Sequence, residues 1–355
     1  MSRLLAHAAL AATLCFAALG DVHAARPAKA AAQVGSGYEK RSDVRAFIAE
    51  LVRDERFSRA TLERWFRDAR YQPSIVDAMD RPLVAPPKWY EYAPRFLTQE
   101  RVDQGVAFWR AHAAALSRAE AQFGVPPEIV VAILGVETFY GRNTGGYRVI
   151  DALTTLAFDY PRRADFFRNE LRQFLLLARE EKFSPLAHKG SFAGAFGVPQ
   201  FMPGSVRRFA VDYDGDGRID LWDSGDDAIG SVANYLARHD WLRGQPIWAK
   251  AIIAPSQMDA VLQKLDGGLS ERRPLAAWND DGVAAERLPD PMAPEPVGLL
   301  LLETDDGDAA QDVYVVFPNF YVITRYNKSR LYAAAVTSLA EAIRAQYTLT
   351  AGAPR

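Results

Sequence analysis

The sequence predicts a mainly α protein of the α+β kind, helical through most of its length with a minor β part. Three observations point there. Apolar residues recur at i, i+3, i+4 and i+7 along much of the chain beyond Ser42. Glycines and prolines fall where such stretches begin and end, as at Gly124, Pro126 and Pro127. Between about 246 and 318 the character changes to scattered prolines and short apolar runs, "WAKAIIA", "EPVGLLLLE" and "QDVYVVFP", which suit a small β subdomain.

Residues 1–24 read as a secretory signal peptide. Arg3 precedes the apolar run "LLAHAALAATLCFAALG", and Val22-His23-Ala24 fits the cleavage site. The sole cysteine, Cys15, lies inside that run, whereas a lipid-modified cysteine would follow it, so a lipid anchor is not expected. The chain after Ala24 then has no cysteine. A secreted protein without disulfides relies on a large core, which residues 25–355 are enough to supply. No later apolar run approaches the ~18–20 residues that span a bilayer. The expectation is a soluble periplasmic protein with no transmembrane segment after cleavage. Residues 25–38, "ARPAKAAAQVGSGY", are small and uncommitted and read as a linker.

The helices follow in order. "SDVRAFIAELVRDE" has an N-cap candidate in Ser42 and sets Val44, Phe47, Ile48 and Leu51 on one face. "SRATLERWFRDAR" gives a second helix, while the Pro-rich, aromatic "DRPLVAPPKWYEYAPRFL" reads as an ordered crossing segment and not a helix. "TQERVDQGVAFWRAHAAALSRAEAQFG" reads as one long helix ending at Gly124, and "VPPEIVVAILGVETFYG" as a helix left at Gly141. "RADFFRNELRQFLLLAREE" is another long helix. Residues 188–205, "HKGSFAGAFGVPQFMPGS", form a glycine-rich functional loop running into a short helix. "DAIGSVANYLARHDW" is helical again, "SRLYAAAVTSLAEAIRAQY" closes the chain, and 346–355 are a tail.

Two stretches carry chemistry. If 127–137 are helical, Ile129, Val130, Ile133, Leu134 and Val136 surround most of the axis, which marks a buried helix with Glu137 at its inner end. Desolvation there would favour the protonated carboxyl, able to protonate a leaving oxygen. The plainer alternative is a Glu that reaches solvent or caps a neighbouring loop. The second stretch, "DYDGDGRIDLWD" at 212–223, puts Asp212, Asp214, Asp216 and Asp220 at positions 1, 3, 5 and 9 with Gly217 at 6, an EF-hand-like pattern. Arg218 would add its backbone carbonyl. Asp223 stands where the usual Glu would be, on a shorter arm, and Asp226 and Asp227 follow as alternative closing ligands. One such loop without a regulatory partner suggests a structural Ca²⁺; an acidic turn without metal is the alternative.

A net charge of −2 argues against nucleic acid, which favours a strongly basic surface. Aromatic residues, 11% of the chain, serve a core or flat ligands such as sugar rings, and composition does not decide between them.

Taken together, "GVETFYGRNTGGY", "GSFAGAFGVPQFMPGS", the Asp-rich loop, "DAIGSVANYL" and "NFYVITRYNKSRLYAAAV" resemble, in this order, the lytic murein transglycosylase B family of peptidoglycan-cleaving enzymes. The resemblance spans residues 39–345 or so. It implies a lysozyme-like helical core holding the cleft, an added helical domain, a small β subdomain and an EF-hand-like calcium loop over 212–227. On that resemblance Glu137 is the single catalytic acid/base. Ser191 and Gln200 match cleft positions, Arg162 and Arg163 a basic pair, and Tyr92, Tyr235, Tyr326, Asn327 and Tyr332 the residues lining sugar subsites. The family's longer loop favours Asp227 over Asp223 as the last ligand. Phe196 stands where the family often has Met, a swap of one apolar wall residue.

The implied partner is the peptidoglycan glycan strand, with no organic cofactor, and a monomer is expected. Near Glu137 the sequence offers no comparable second acid apart from Asp151 and Asp159, which suits a one-acid transglycosylase better than a two-carboxylate glycosidase. Each supporting residue also has a plainer reading: Tyr235 and Tyr332 as core, the arginines as a solvated helix start, Ser191 and Gln200 as ties within their loop, Asn327 as a turn residue. The rival functions are a hydrolytic muramidase and a catalytically inactive, calcium-stabilised glycan-binding protein.

Overall fold

The computed structural model describes residues 37–81, 87–288, 294–305 and 311–351. The signal peptide and all but the last two residues of the expected linker lie outside them, as do the last four residues of the expected tail. The described residues divide into two compact units, one of 37–81 with 103–235, the other of 87–102 with 236–351.

In the first unit the helix Ser42–Glu55 buries Val44, Phe47, Ile48 and Leu51, the face its spacing predicts. Ser42 does not cap it. Arg41 holds the N-cap position without a side-chain cap, and Asp43, gripped by Arg41, accepts the Val44 N–H at 2.9 Å instead. Ser58 does cap the next helix, Arg59–Asp68. The long helix expected before Gly124 is two, Gln99–Ala111 and Ala113–Phe123, broken at His112, whose Nδ1 lies 3.0 Å from Asp226. Gly124 ends the second at φ 76°, a left-handed turn that glycine adopts without strain.

Helix Pro127–Thr138 follows, entered through proline as expected. The helix Val149–Asp159 has no counterpart in the sequence reading, since it is buried on all sides and shows no amphipathic stripe. It packs on Ala164–Glu180, which buries Phe167, Leu171, Phe174 and Leu175. Two short strands, β1 (Tyr147–Arg148) and β2 (Lys189–Gly190), pair antiparallel with Tyr147 opposite Gly190. Helices Pro203–Phe209 and Gly225–Ala237 flank the acidic loop.

The second unit is built on a six-stranded antiparallel sheet of β3 (Trp248–Ile253), β4 (Leu265–Asp266), β5 (Leu269–Ser270), β6 (Val283–Ala285), β7 (Gly298–Glu303) and β8 (Gln311–Val316), in the order β4-β5-β7-β8-β3-β6. One face buries Leu299, Val313 and Val315 with Trp278 and Phe317. The segment expected to be a non-helical crossing contains one helical turn, Trp89–Tyr92, and a 3-10 turn, Ala93–Arg95. Glu91 caps that turn by accepting the Lys88 N–H at 3.0 Å, while Trp89 and Tyr92 are buried. Helices Pro318–Tyr326 and Arg330–Ala351 complete the unit, so the tail expected from 346 is helical as far as Ala351. Among the described residues no single helix is long and apolar enough to cross a membrane.

Candidate active site

Glu137 stands half-buried in the last turn of helix Pro127–Thr138, behind a continuous run of buried residues from Ile129 to Gly135. The helix stops at Thr138 and not at Gly141, because Phe139 and Tyr140 turn left-handed ahead of the glycine (φ 54°, 59° and 91° in succession). Left-handed backbone at non-glycine residues costs on the order of 1–3 kcal/mol each and persists only where neighbours hold it. They do: the Phe139 N–H donates to the Gly135 carbonyl and the Tyr140 N–H to Leu134, both at 3.1 Å. The Tyr140 ring lies so close on Gly135 that a Cβ there would stand 2.6 Å from its hydroxyl. Thr138 Oγ1 donates to the Val198 carbonyl at 2.8 Å and accepts the Gly141 N–H at 3.0 Å. Glu137 is therefore carried on a short, firmly held stub of helix.

The glycine-rich loop reaches this stub through Val198. Gln200 and Ser191, both buried, are occupied in shaping the loop. Gln200 takes φ 51° and donates from Nε2 to Thr144 and Gly197 carbonyls at 3.1 and 2.9 Å, while Ser191 Oγ accepts the Ala195 N–H at 3.1 Å. Phe196, expected on a wall, is fully buried, stacked on Trp222 at 4.5 Å and edge-on to Phe174. Tyr235 is likewise buried, packed on Phe201 and Phe209.

Both acids weighed as partners for Glu137 are neutralised. Asp151 takes a two-pronged ion pair from Arg148 at 2.8 Å and the Arg70 N–H at 2.9 Å. Asp159 is held by Arg41 at 2.6 Å and by the Tyr38 hydroxyl. A carboxylate the sequence reading passed over, Glu170, is buried, and burial raises its pKa. Arg162 is exposed and pairs with Asp80 at 3.5 Å, while Arg163 lies over the Phe166 and Phe167 rings, burial drawing its pKa down.

The remaining residues matched to sugar subsites belong to the second unit. Tyr92 is buried against Phe96. The rings of Tyr326 and Tyr332 lie 6.4 Å apart and nearly parallel, at 12°. Asn327 Oδ1 accepts the Ser329 N–H at 3.2 Å, and Ser329 Oγ accepts the Tyr332 N–H, a turn that opens the closing helix.

In the acidic loop, carboxylate oxygens of Asp212, Asp214 and Asp227 lie within 4.8 Å of one another. Asp227, almost fully buried, also accepts the Tyr213 and Asp220 N–H groups, and burial raises its pKa. Asp216 accepts the Arg218 N–H, Asp220 those of Trp222 and Asp223, while Asp226 is turned to His112. Asp223 is exposed. A hard oxygen donor set with a buried carboxylate in need of countercharge fits Ca²⁺, and it is Asp227 that converges with Asp212 and Asp214.

Glu137 is a half-buried acid at the end of a buried helix, and Asp151 and Asp159 are each paired with an arginine. The class of protein follows from the comparisons with known proteins. A family model described as a transglycosylase SLT domain matches residues 39–341. The membrane-bound lytic murein transglycosylase B of Escherichia coli (strain K12) is 40% identical over 324 residues, 88% of this chain and 85% of that protein. The soluble lytic transglycosylase SltB1 of Pseudomonas aeruginosa is similar in structure, with TM-score 0.78 and 47% identity over 85% of this chain and 98% of that one. So is the E. coli lytic transglycosylase Slt35 in complex with calcium, with TM-score 0.80 and 39% identity over 89% and 97%. The chain belongs to the transglycosylase SLT family. It is a peptidoglycan-cleaving lytic transglycosylase, and its mostly helical fold with a small sheet is that of its lysozyme-like transglycosylase neighbours.

Proposed function

We propose that Glu137 performs the cleavage alone, as acid and then as base. Protonated, it gives its proton to the glycosidic oxygen linking N-acetylmuramic acid to N-acetylglucosamine, and the C1–O bond breaks. The resulting carboxylate takes the proton from the muramic acid O6 hydroxyl as that oxygen bonds to C1. The 1,6-anhydro end forms without water, and Glu137 is left protonated for the next turnover. An internal hydroxyl gains from proximity what a free water lacks. The observation that carries this reading is the state of the acids: Glu137 is half-buried at a hydrogen-bonded helix end, while Asp151 and Asp159 are committed to Arg148 and Arg41.

In this reading Arg162, Arg163, Tyr326 and Asn327, the less buried of the matched residues, meet sugar and peptide, while the buried Tyr92, Ser191, Gln200, Tyr235 and Tyr332 hold the segments that carry such contacts. Arg162 and Arg163 suit lactyl or peptide carboxylates. The half-buried Tyr326, its ring near-parallel to that of the buried Tyr332, is the one of the two that offers flat apolar surface to a pyranose. Ca²⁺, held by Asp212, Asp214, Asp216, Asp220 and Asp227 with the Arg218 carbonyl, would neutralise the crowded carboxylates of the loop. The protein works in the periplasm after removal of residues 1–24, as a monomer without an organic cofactor. Glu137→Gln is expected to lower turnover by about 10²–10⁴-fold, the usual worth of a positioned acid–base group, while sacculus binding persists. Mass spectrometry of digested sacculi is expected to show anhydro ends; reducing N-acetylmuramic ends would make the enzyme a hydrolytic muramidase.

A further inference from the structure

Val198 joins three elements at once. Its N–H donates to the Leu221 carbonyl of the acidic loop at 2.7 Å, and its own carbonyl accepts the Thr138 hydroxyl at 2.8 Å. Its side chain lies on Gly141, 3.4 Å from where a Cβ there would stand. Beside it Gly197, at φ 73°, presses so closely on the acidic loop that a Cβ would fall 2.6 Å from the Leu221 carbonyl oxygen. Trp222 secures the same seam. It stacks on Phe196 (4.5 Å, 7°) and on His188 (4.0 Å, 27°), and its Nε1 donates to the Lys189 carbonyl at 3.1 Å. The grip between the two loops thus combines backbone-to-backbone contact with stacked rings.

Thr138 is at the other end of this connection, next to Glu137 and 1% exposed. Inside a helix a Thr hydroxyl ordinarily turns back to the carbonyl four residues earlier. Here the Leu134 carbonyl is 3.3 Å away, while the Val198 carbonyl, outside the helix, is at 2.8 Å. The hydroxyl also accepts the Gly141 N–H, pinning the left-handed turn in which the helix ends. A residue needed only for volume would not require these partners, and valine would fill the same space.

We infer that Thr138 is a positioning residue for Glu137, and that the order of the acidic loop sets the direction of the acid through the Leu221–Val198–Thr138 contacts. This rests on Glu137 being the acid/base and goes beyond a metal that only stabilises the fold. When the loop loosens, the Leu221 carbonyl no longer fixes Val198, Val198 no longer fixes Thr138, and the carboxyl drifts from its aim. A displacement near 1 Å is enough to cost on the order of 10²-fold in rate.

The test compares wild type, Thr138→Val, Thr138→Ser and Glu137→Gln in kcat, KM, the pH profile of kcat and melting temperature. Amide exchange over 138–143 is followed after chelation and again with added calcium. Thr138→Val is expected to fold and to keep KM, to lose roughly 10- to 100-fold in kcat with a displaced pH profile, and Thr138→Ser to recover most of it. Calcium is expected to slow exchange at Phe139, Tyr140 and Gly141 in wild type and Thr138→Ser, but not in Thr138→Val. Wild-type kcat and pH profile in a folded Thr138→Val overturns the inference. So does calcium that protects 212–227 in wild type and leaves 138–143 unchanged, which decides the matter even if the valine variant does not fold. Full activity in Glu137→Gln is a separate failure, that of the acid/base reading itself.

Discussion

Glu170 projects from helix Ala164–Glu180 to the start of helix Pro203–Phe209, where its Oε2 accepts the Gly204 N–H at 2.8 Å. Any Cβ at position 204 would stand 2.9 Å from Oε1, so glycine is what lets the carboxyl approach. The bond to the helix start favours the anion, but burial opposes it more strongly and the pKa is raised. The sign of the pH effect follows. The folded chain holds the Glu170 proton more tightly than the unfolded chain does, so this group's contribution to stability is lost as pH rises through its raised pKa. Glu170→Gln keeps an acceptor for Gly204 and removes the ionisation. It is therefore expected to melt higher than wild type at neutral pH, with the gap narrowing toward pH 4. Parallel melting curves against pH for the two proteins would show that Glu170 titrates as it does unfolded.

Gly197 shows how a single glycine can govern contact between two loops. Its positive φ and its approach to Leu221 both exclude a side chain. Gly197→Ala is expected to cost roughly 1–3 kcal/mol, read as a lower denaturation midpoint, and to lower turnover as well because the seam also fixes Val198. Loss of stability with unchanged turnover would mean that the seam serves the fold alone. The acidic cluster was legible in part: local spacing brings Asp212 and Asp214 together and the longer closure adds Asp227, while Asp216 and Asp220, expected with them, stay outside that group and accept backbone N–H groups. The half-buried setting of Glu137 was legible from the apolar run in front of it. Helix Val149–Asp159 was not, since burial on every side erases the period that reveals a helix. Nor was the break at His112, whose ring partner Asp226 lies far along the chain. The left-handed Phe139 and Tyr140 were hidden for a like reason: Gly141 looked like the stop, and only packing against Gly135 and Val198 moves it earlier. The plainer readings of Ser191, Gln200 and Asn327 as loop and turn residues describe the bonds these side chains make.

With one cysteine in the whole sequence, no disulfide within the chain holds its loops. Three carboxylates crowd together at Asp212, Asp214 and Asp227, wholly within the unit that carries Glu137. A cation bound there and not by the unfolded chain stabilises that unit by mass action, about 2.7 kcal/mol when free calcium is a hundred times its dissociation constant. For a unit of this size that corresponds to a melting shift of roughly 5–10 °C. Chelation is thus expected to lower the calorimetric melting temperature, and calcium to restore it. Asp227→Asn is the informative variant. It keeps an oxygen for the Tyr213 or Asp220 N–H but removes the buried charge, so the calcium-dependent increment should shrink toward zero whatever the variant's own melting temperature. Asp223→Asn, at an exposed position, should retain the increment. A melting curve indifferent to excess chelator would refute calcium as a structural ion, and an increment that survives Asp227→Asn but not Asp223→Asn would move the closing ligand to Asp223.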